Sequence, residues 1–126
     1  MERKFHHAKL PNHSTLLSGH TPPDEIGFQS DALQIWYNNT GTTWVDAPEP
    51  LHYHEESDEI FLVLRGALHV KVDGQVHRVG PREFCCFPSG QWHSIVHIEA
   101  PVETLMIRSL SVNDKVYSKN GTHSSP

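Results

Sequence analysis

The chain has 126 residues, enough for one domain with one core and too few for two of ordinary size. Lys and Arg total 10 against 15 Asp and Glu, and the net charge of -5 argues against the basic surface that broad nucleic-acid binding needs. No run approaches the roughly twenty apolar residues of a membrane helix, so neither nucleic acid nor a membrane is expected as a partner.

The charged start Met1-Glu2-Arg3-Lys4 has no apolar stretch behind it, so no signal peptide is expected and the cytoplasm is the default compartment. Residues 1–31 hold Pro11, Pro22 and Pro23 and no sustained periodicity. They read as an irregular N-terminal arm, anchored on the domain surface by Leu16, Leu17, Ile26 and Phe28. Four of the eleven histidines, His6, His7, His13 and His20, fall here without regular spacing and read as solvated.

Residues 32–112 read as the folded domain. Leu33, Ile35 and Tyr37 alternate with polar or bulky neighbours over 32–38, which predicts a strand, and a short second strand follows over 42–45. Ala47-Pro48-Glu49-Pro50 breaks regular structure before a strand over 51–54. Ile60 to Leu64 is continuously apolar, Gly66 makes a corner, and Leu68, Val70 and Val72 alternate with His69 and Lys71. Asp73-Gly74 is a two-residue hairpin signal with Val76 and Val79 on the returning strand. Strands over 83–87, 91–98 and 102–110 follow, parted by Pro88-Ser89-Gly90 and by Glu99-Ala100-Pro101. Short strands with closely spaced turns and no helical repeat point to an antiparallel sandwich or barrel. The polar residues 113–126 form a tail expected to fray.

Cys85 and Cys86 are adjacent, a poor geometry for pairing with each other, and read as reduced thiols, one facing in and one out. The inward one is expected to be inert. Trp36, Trp44 and Trp92 suit core or interface anchors as well as substrate-stacking rings, and Arg108, alternating with Met106, reads most plainly as exposed but could meet an anionic substrate.

The stretch His52-Tyr53-His54-Glu55-Glu56-Ser57-Asp58-Glu59 carries the chemistry. Side chains two apart on a strand leave the same face, so His52 and His54 can share one ion. Glu59 sits at an odd offset from His54 and needs an intervening turn, for which the polar residues 55–58 are suited; Glu55, Glu56 and Asp58 read as a solvated acidic turn. Later, Pro88-Ser89-Gly90-Gln91-Trp92-His93 delivers a histidine to the start of a strand.

The order His-x-His, four residues, Glu, six residues, Gly, with a later Pro-x-Gly-x-x-His, resembles the two signature motifs of the cupin superfamily over residues 32–110. The chain departs from that pattern at Asp46, at Arg82-Glu83 and at His97, where the family tends to have Gly, Gly-Asp and Asn; Gly80-Pro81 can make the turn instead. The resemblance implies a double-stranded β-helix, a jelly-roll-like barrel, in which His52, His54, Glu59 and His93 converge on one divalent ion. Three imidazoles and a carboxylate fill four of six octahedral positions and leave two for water, substrate or dioxygen, which favours Fe(II), Mn(II) or Ni(II) over zinc. His97 shares the parity of His93 and is the candidate catalytic base or partner of a ligand; Phe61 and Val63 share that of Glu59 and are expected to line the cavity. The expected function is a metal-dependent enzyme acting on a small oxygen-rich molecule, with dioxygenase-type oxidation first and isomerisation next. A noncatalytic module binding a sugar or small acid is the alternative. Pairing through an exchanged arm, as in many cupins, implies a homodimer.

Overall fold

The computed structural model describes residues 4–20, 26–41 and 49–118, and no helix occurs among them. Nine strands are present in these segments: β1 (Thr15–Gly19), β2 (Phe28–Gln29), β3 (Gln34–Thr40), β4 (His52–His54), β5 (Glu59–Val72), β6 (Gln75–Val79), β7 (Phe84–Phe87), β8 (Ser94–Arg108) and β9 (Lys115–Tyr117). One sheet runs in the order β2-β1-β3-β8-β5-β6 with β7 also on β5, and a second pairs β4 with β9. Apart from the parallel β1–β2 contact, every pairing is antiparallel. The result is the expected all-β, jelly-roll-like barrel.

The long strands β5 and β8 pair along most of their length and form its spine. Glu59, Phe61 and Val63 face inward, then the pattern inverts and Leu68 and Val70 do. The inversion coincides with register shifts between Val63 and Arg65 and between Arg65 and Ala67, the second spanning Gly66 at φ 75°. Opposite, Pro101 sits on β8 where Glu99 pairs Ala67 and Glu103 pairs Arg65. A ladder interrupted at that point tolerates a proline. The two breaks expected at Gly66 and at residues 99–101 are therefore bends within continuous strands. The enclosed core holds Phe61, Val63, Leu68, Val70, Phe87, Ile98, Val102 and Met106, each fully buried large side chain contributing about 1.5–3 kcal/mol.

Turn chemistry follows the sequence. Asp73 and Gly74 both take positive φ, 51° and 77°, closing the hairpin between Val72 and Gln75. Gly80-Pro81 does make the turn into β7: the Glu83 carboxylate accepts from Gly80 N–H at 2.6 Å, and Glu83 N–H donates to Gly80 O at 3.0 Å.

The described parts of the arm and of the C-terminal segment hold strands not expected from the sequence. Within the arm, residues 4–14 are irregular, but Thr15–Gly19 pairs with β3 and Phe28–Gln29 pairs with β1. Leu16, Leu17 and Phe28 are half-buried there, and His6, His7, His13 and His20 are exposed. Of the tail expected to fray, residues 115–117 form β9, whose backbone satisfies the open edge of the histidine strand β4; residues 119–126 lie outside the described residues. The strand expected over 42–45, with Trp44 and Asp46, lies outside the described residues. Cys85 is half-buried against the core and Cys86 is exposed, both as free thiols. Burial pushes the Cys85 thiol up to about 11, which keeps it protonated and unreactive at neutral pH.

Candidate metal centre

Four elements bring the histidine cluster together. β4 presents His52 and His54 with Tyr53 between them, the acidic turn reverses the chain, β5 opens on Glu59, and the turn after β7 delivers His93. A backbone bridge fixes the last step: His52 N–H donates to His93 O at 3.1 Å and His93 N–H to His52 O at 2.8 Å. Gly90 N–H adds a bond to His54 O at 2.8 Å, so both histidine segments are clamped through their main chains.

One ligand atom from each of His52, His54, Glu59 and His93 lies within 4.8 Å of the others, and all four residues are buried. Two donors on opposite sides of a single ion, each at about 2.1 Å, are about 4.2 Å apart, so the cluster is of the right size. The hydrogen bonds behind the rings decide which nitrogen faces inward. His52 Nδ1 lies 2.8 Å from Pro50 O, His93 Nδ1 2.9 Å from Gln91 O, and His54 Nδ1 3.1 Å from the Asp114 carboxylate. The partners of His52 and His93 only accept, so there Nδ1 carries the proton and Nε2 is left to coordinate; His54 Nδ1 also meets Arg108 Nη1 at 3.4 Å, but the closer Asp114 carboxylate favours the same tautomer. His54 Nε2 is buried and makes no hydrogen bond; Glu59 Oε2 is 3.3 Å away but out of line for one. Three imidazoles and one carboxylate turned toward one point could hold a metal ion, which would take the place of the proton His93 Nε2 shares with Glu59 at 2.9 Å.

The electrostatics agree with that role. Burial drives the His52 imidazole down to about 4, keeping it neutral at pH 7. Burial also opposes charge on His54, but Glu59 and Asp114 outweigh it and raise that ring's pKa, so a cation, whether proton or metal, is favoured there. For Glu59, burial is the largest single influence and acts upward, yet His54 and His93 together hold the carboxyl well below the usual range. His93 is further fixed by stacking on Phe87, with 3.9 Å between ring centroids and an interplanar angle of 2°.

Asp114, in the segment expected to fray, is a positioning residue that no motif or periodicity singles out. Its carboxylate accepts from the Glu56 N–H at 3.0 Å, the Ser57 N–H at 2.9 Å and the Ser57 hydroxyl at 2.7 Å, as well as meeting His54. Ser57 is completely buried, while Glu55, Glu56 and Asp58 are exposed as expected of a solvated turn. Burial opposes ionisation of Asp114, but these donors prevail and lower it from 3.8 to about 2. A carboxyl depressed in this way stabilises the fold above its unfolded pKa near 4, and the stabilisation is lost as pH falls through about 2. Asp114→Asn is therefore expected to cost about 2 kcal/mol at pH 7, with the gap to the unsubstituted protein closing towards pH 2. Urea titrations across that range check it; a gap that is constant with pH would refute the electrostatic account. Metal affinity is expected to fall roughly ten- to a hundredfold in the same variant.

His97 does not join the site. Between His69 and Val70 the partner residue on β8 jumps from His97 to Ile95, a bulge that inverts the strand's facing. Ile95 and Ile98 both turn into the core. His97 meets His69 at 5.1 Å between ring centroids, beside the exposed cluster of His69, Glu99 and Arg78. The expectation that it faces the metal cavity fails for that reason.

A cavity of about 410 Å3 opens beside Glu59. Its apolar wall includes Trp36, Phe61, Leu68 and Met106, its polar wall Asn38, Thr40 and Thr104, and its charged groups are Glu49, Glu59, Arg108 and Lys115. Phe61 lines it as expected, whereas Val63 is buried in the core and contributes nothing to it. Arg108 is not exposed: its side chain is 13% accessible, 3.9 Å from Glu59 and 3.6 Å from Asp114. Trp92 packs edge-on to Tyr53, outside the cavity wall. A wider groove of about 660 Å3 beside β6 and β7 touches none of the four donors, so the smaller cavity is the one relevant to them.

A family model described as a cupin domain matches residues 42–108, more than half of the chain. The chain belongs to the cupin family. Among solved structures, this cupin is similar to the DMSP lyase DddQ from Ruegeria pomeroyi, at 25% identity and a TM-score of 0.60, over 83% of this chain and 50% of that one. The cupin thus spans about half the length of that lyase. It is also similar in fold to KdgF from a Halomonas species, at 23% identity and TM-score 0.53 over 68% of this chain and 74% of that one. The Streptomyces nucleoside dehydratase Pac13 shares the fold at 10% identity and TM-score 0.57, over 71% and 70% of the two chains. No protein of curated function matches the sequence.

Proposed function

We propose that this cupin is a metal-dependent enzyme acting on a small oxygen-rich molecule in the cavity beside Glu59, by proton transfer leading to elimination or isomerisation. The observation that carries this reading is Glu49. It lines the same cavity as Glu59, and burial raises its carboxyl above the usual range, toward the pKa that an acid-base group needs at neutral pH. Its backbone is fixed to β8, with Glu49 N–H donating to Ile95 O at 3.0 Å, and its Oε1 accepts from Ile95 N–H at 3.2 Å.

His52, His54, Glu59 and His93 would hold the ion, with Fe(II), Mn(II) or Ni(II) favoured by the two positions they leave open. When bound, the ion supplies Lewis acidity to an oxygen of the substrate. The chain's own residues do the rest: Glu49 takes or returns a proton, Arg108 and Lys115 set the local charge, and the apolar wall excludes water. The likeness to a lyase at 25% identity supports an elimination. Dioxygenase-type oxidation is the second reading, favoured by the three-histidine, one-carboxylate donor set itself, which suits ferrous iron.

Metal-free protein reloaded anaerobically with each of the three ions, then incubated in D2O with small hydroxy acids, catechols and diketones, separates the readings. Metal-dependent deuterium uptake or elimination without oxygen, lost in Glu49→Gln, is the expected result. Stoichiometric oxygen consumption on admitting air would establish oxidation instead, and saturable binding with no turnover under any metal would leave a binding module.

A further inference from the structure

Taking that cavity as the site of turnover, we propose that its substrate is a small organic carboxylate, anchored by Arg108 Nε and the Lys115 ammonium. Arg108 ends β8 where its backbone pairs on one side with Gln34 of β3 and on the other with Glu59 of β5. A side chain rooted between two strands has little freedom to move. Its guanidinium is already committed at two corners: Nη2 donates to Gln34 Oε1, and Nη1 lies 3.4 Å from His54 Nδ1 and 3.6 Å from Asp114. The remaining donor, Nε, is buried and makes no hydrogen bond, with Glu59 Oε2 at 3.9 Å too distant to serve. A buried charged donor left without an acceptor is costly, and a ligand that supplies one recovers that cost on binding.

Lys115, from β9, also lines this cavity, and its ammonium, 5.7 Å from the Tyr117 ring centroid, adds a second positive charge beside it. Of the two carboxylates there, Glu59 is turned onto the histidine cluster, 2.9 Å from His93 Nε2. With both Nη corners engaged, the guanidinium offers one donor rather than its usual bidentate fork. One donor and one ammonium match the two oxygens of a carboxylate better than the three of a phosphate. Trp36 and Phe61 provide an apolar surface for a carbon skeleton, and the Asn38–Thr104 pair, at 3.3 Å, offers hydroxyl-binding groups.

The test compares carboxylates with their own amides. Full-length protein loaded with Mn(II) is titrated calorimetrically with lactate, 3-hydroxybutyrate, malonate and gluconate, and with the corresponding amides, with metal content measured alongside. Because a metal ion also binds a carboxylate in preference to an amide, the deciding quantity is how far the carboxylate preference falls on removing the anchor. Arg108→Gln is expected to reduce it roughly ten- to a hundredfold at equal metal content. If that variant loses metal, Lys115→Met, outside the four donors, decides in its place. An unchanged preference, or no saturable binding across the panel, overturns the proposal. Discrimination that depends on Arg108 without turnover leaves the carboxylate site standing and removes only the enzyme reading.

Discussion

Replacing His93 by alanine is expected to lower metal affinity at least roughly a hundredfold, beyond the ten- to hundredfold typical of losing a residue that merely orients a ligand. Three changes coincide at that position. One of four donors is lost, the ring stacked on Phe87 leaves a gap, and Glu59 loses its closest polar partner. The last change matters to the metal-free protein as well, because a buried carboxylate deprived of its counter-group rises in pKa and competes for a proton instead of a cation. Elemental analysis after loading gives occupancy, and a melting curve gives its thermodynamic counterpart. An ion at a hundred times its Kd stabilises the fold by about 2.7 kcal/mol, and this increment is expected to fall to about 0.4 kcal/mol or less in the variant. His93→Gln, closer in volume, separates loss of the donor from loss of packing. His97→Ala is the internal control: its ring lies with His69, so occupancy should remain at the unsubstituted level. Full occupancy in His93→Ala would remove His93 from the ligand set.

The contrast between those two histidines shows what could be read in the sequence. The clustering of His52, His54, Glu59 and His93 was legible because strand periodicity pairs the first two and the resemblance to two short cupin motifs, each local in sequence, implies all four. His97 was misplaced by the same reasoning, because parity holds only while a strand stays regular and the bulge after His69 lies in pairing geometry that the sequence does not display. The spine was legible in composition but not in continuity: Gly66 and Pro101 look like chain breaks, yet each faces the other across one interrupted ladder. Asp114, Lys115 and Glu49 gave no signal, being single polar residues in polar segments whose importance comes from what they meet some fifty or sixty positions away, as in the bond between Asp114 and His54. Arg108 was read as exposed on the ordinary behaviour of arginine. Its two Nη corners find partners in Gln34 of β3, His54 of β4 and Asp114 of the C-terminal segment, which no local pattern displays.

Gly66→Ala is expected to be the most damaging single-methyl addition outside the donors, and to disturb the metal centre from a distance. The φ of 75° alone costs an L-residue about 1–2 kcal/mol. Space makes it worse. An added Cβ would stand 2.4 Å from the carbonyl oxygens of both Glu99 and Pro101 and 2.9 Å from Val102 Cα. All three atoms are backbone of β8, so no rotamer change relieves the contact, and the strands must part where they cross. A loss of roughly 3–5 kcal/mol is expected, within the range reserved for overpacking combined with backbone strain. Gly90 is the matched comparison: its φ is 85° but nothing lies within 4 Å of an added Cβ, so Gly90→Ala should cost only the conformational part. Urea midpoints for the two variants isolate the steric contribution as their difference, and equal losses would mean that β8 yields freely at this point. Because Gly66 sets the bend that turns Glu59, Phe61 and Val63 inward on one side and Leu68 and Val70 on the other, forcing β5 off β8 also shifts the Glu59 carboxylate relative to His54 and His93. Gly66→Ala should then bind metal more weakly even at temperatures where it is fully folded, whereas Gly90→Ala, judged by the same folded-state titration, should show the smaller change.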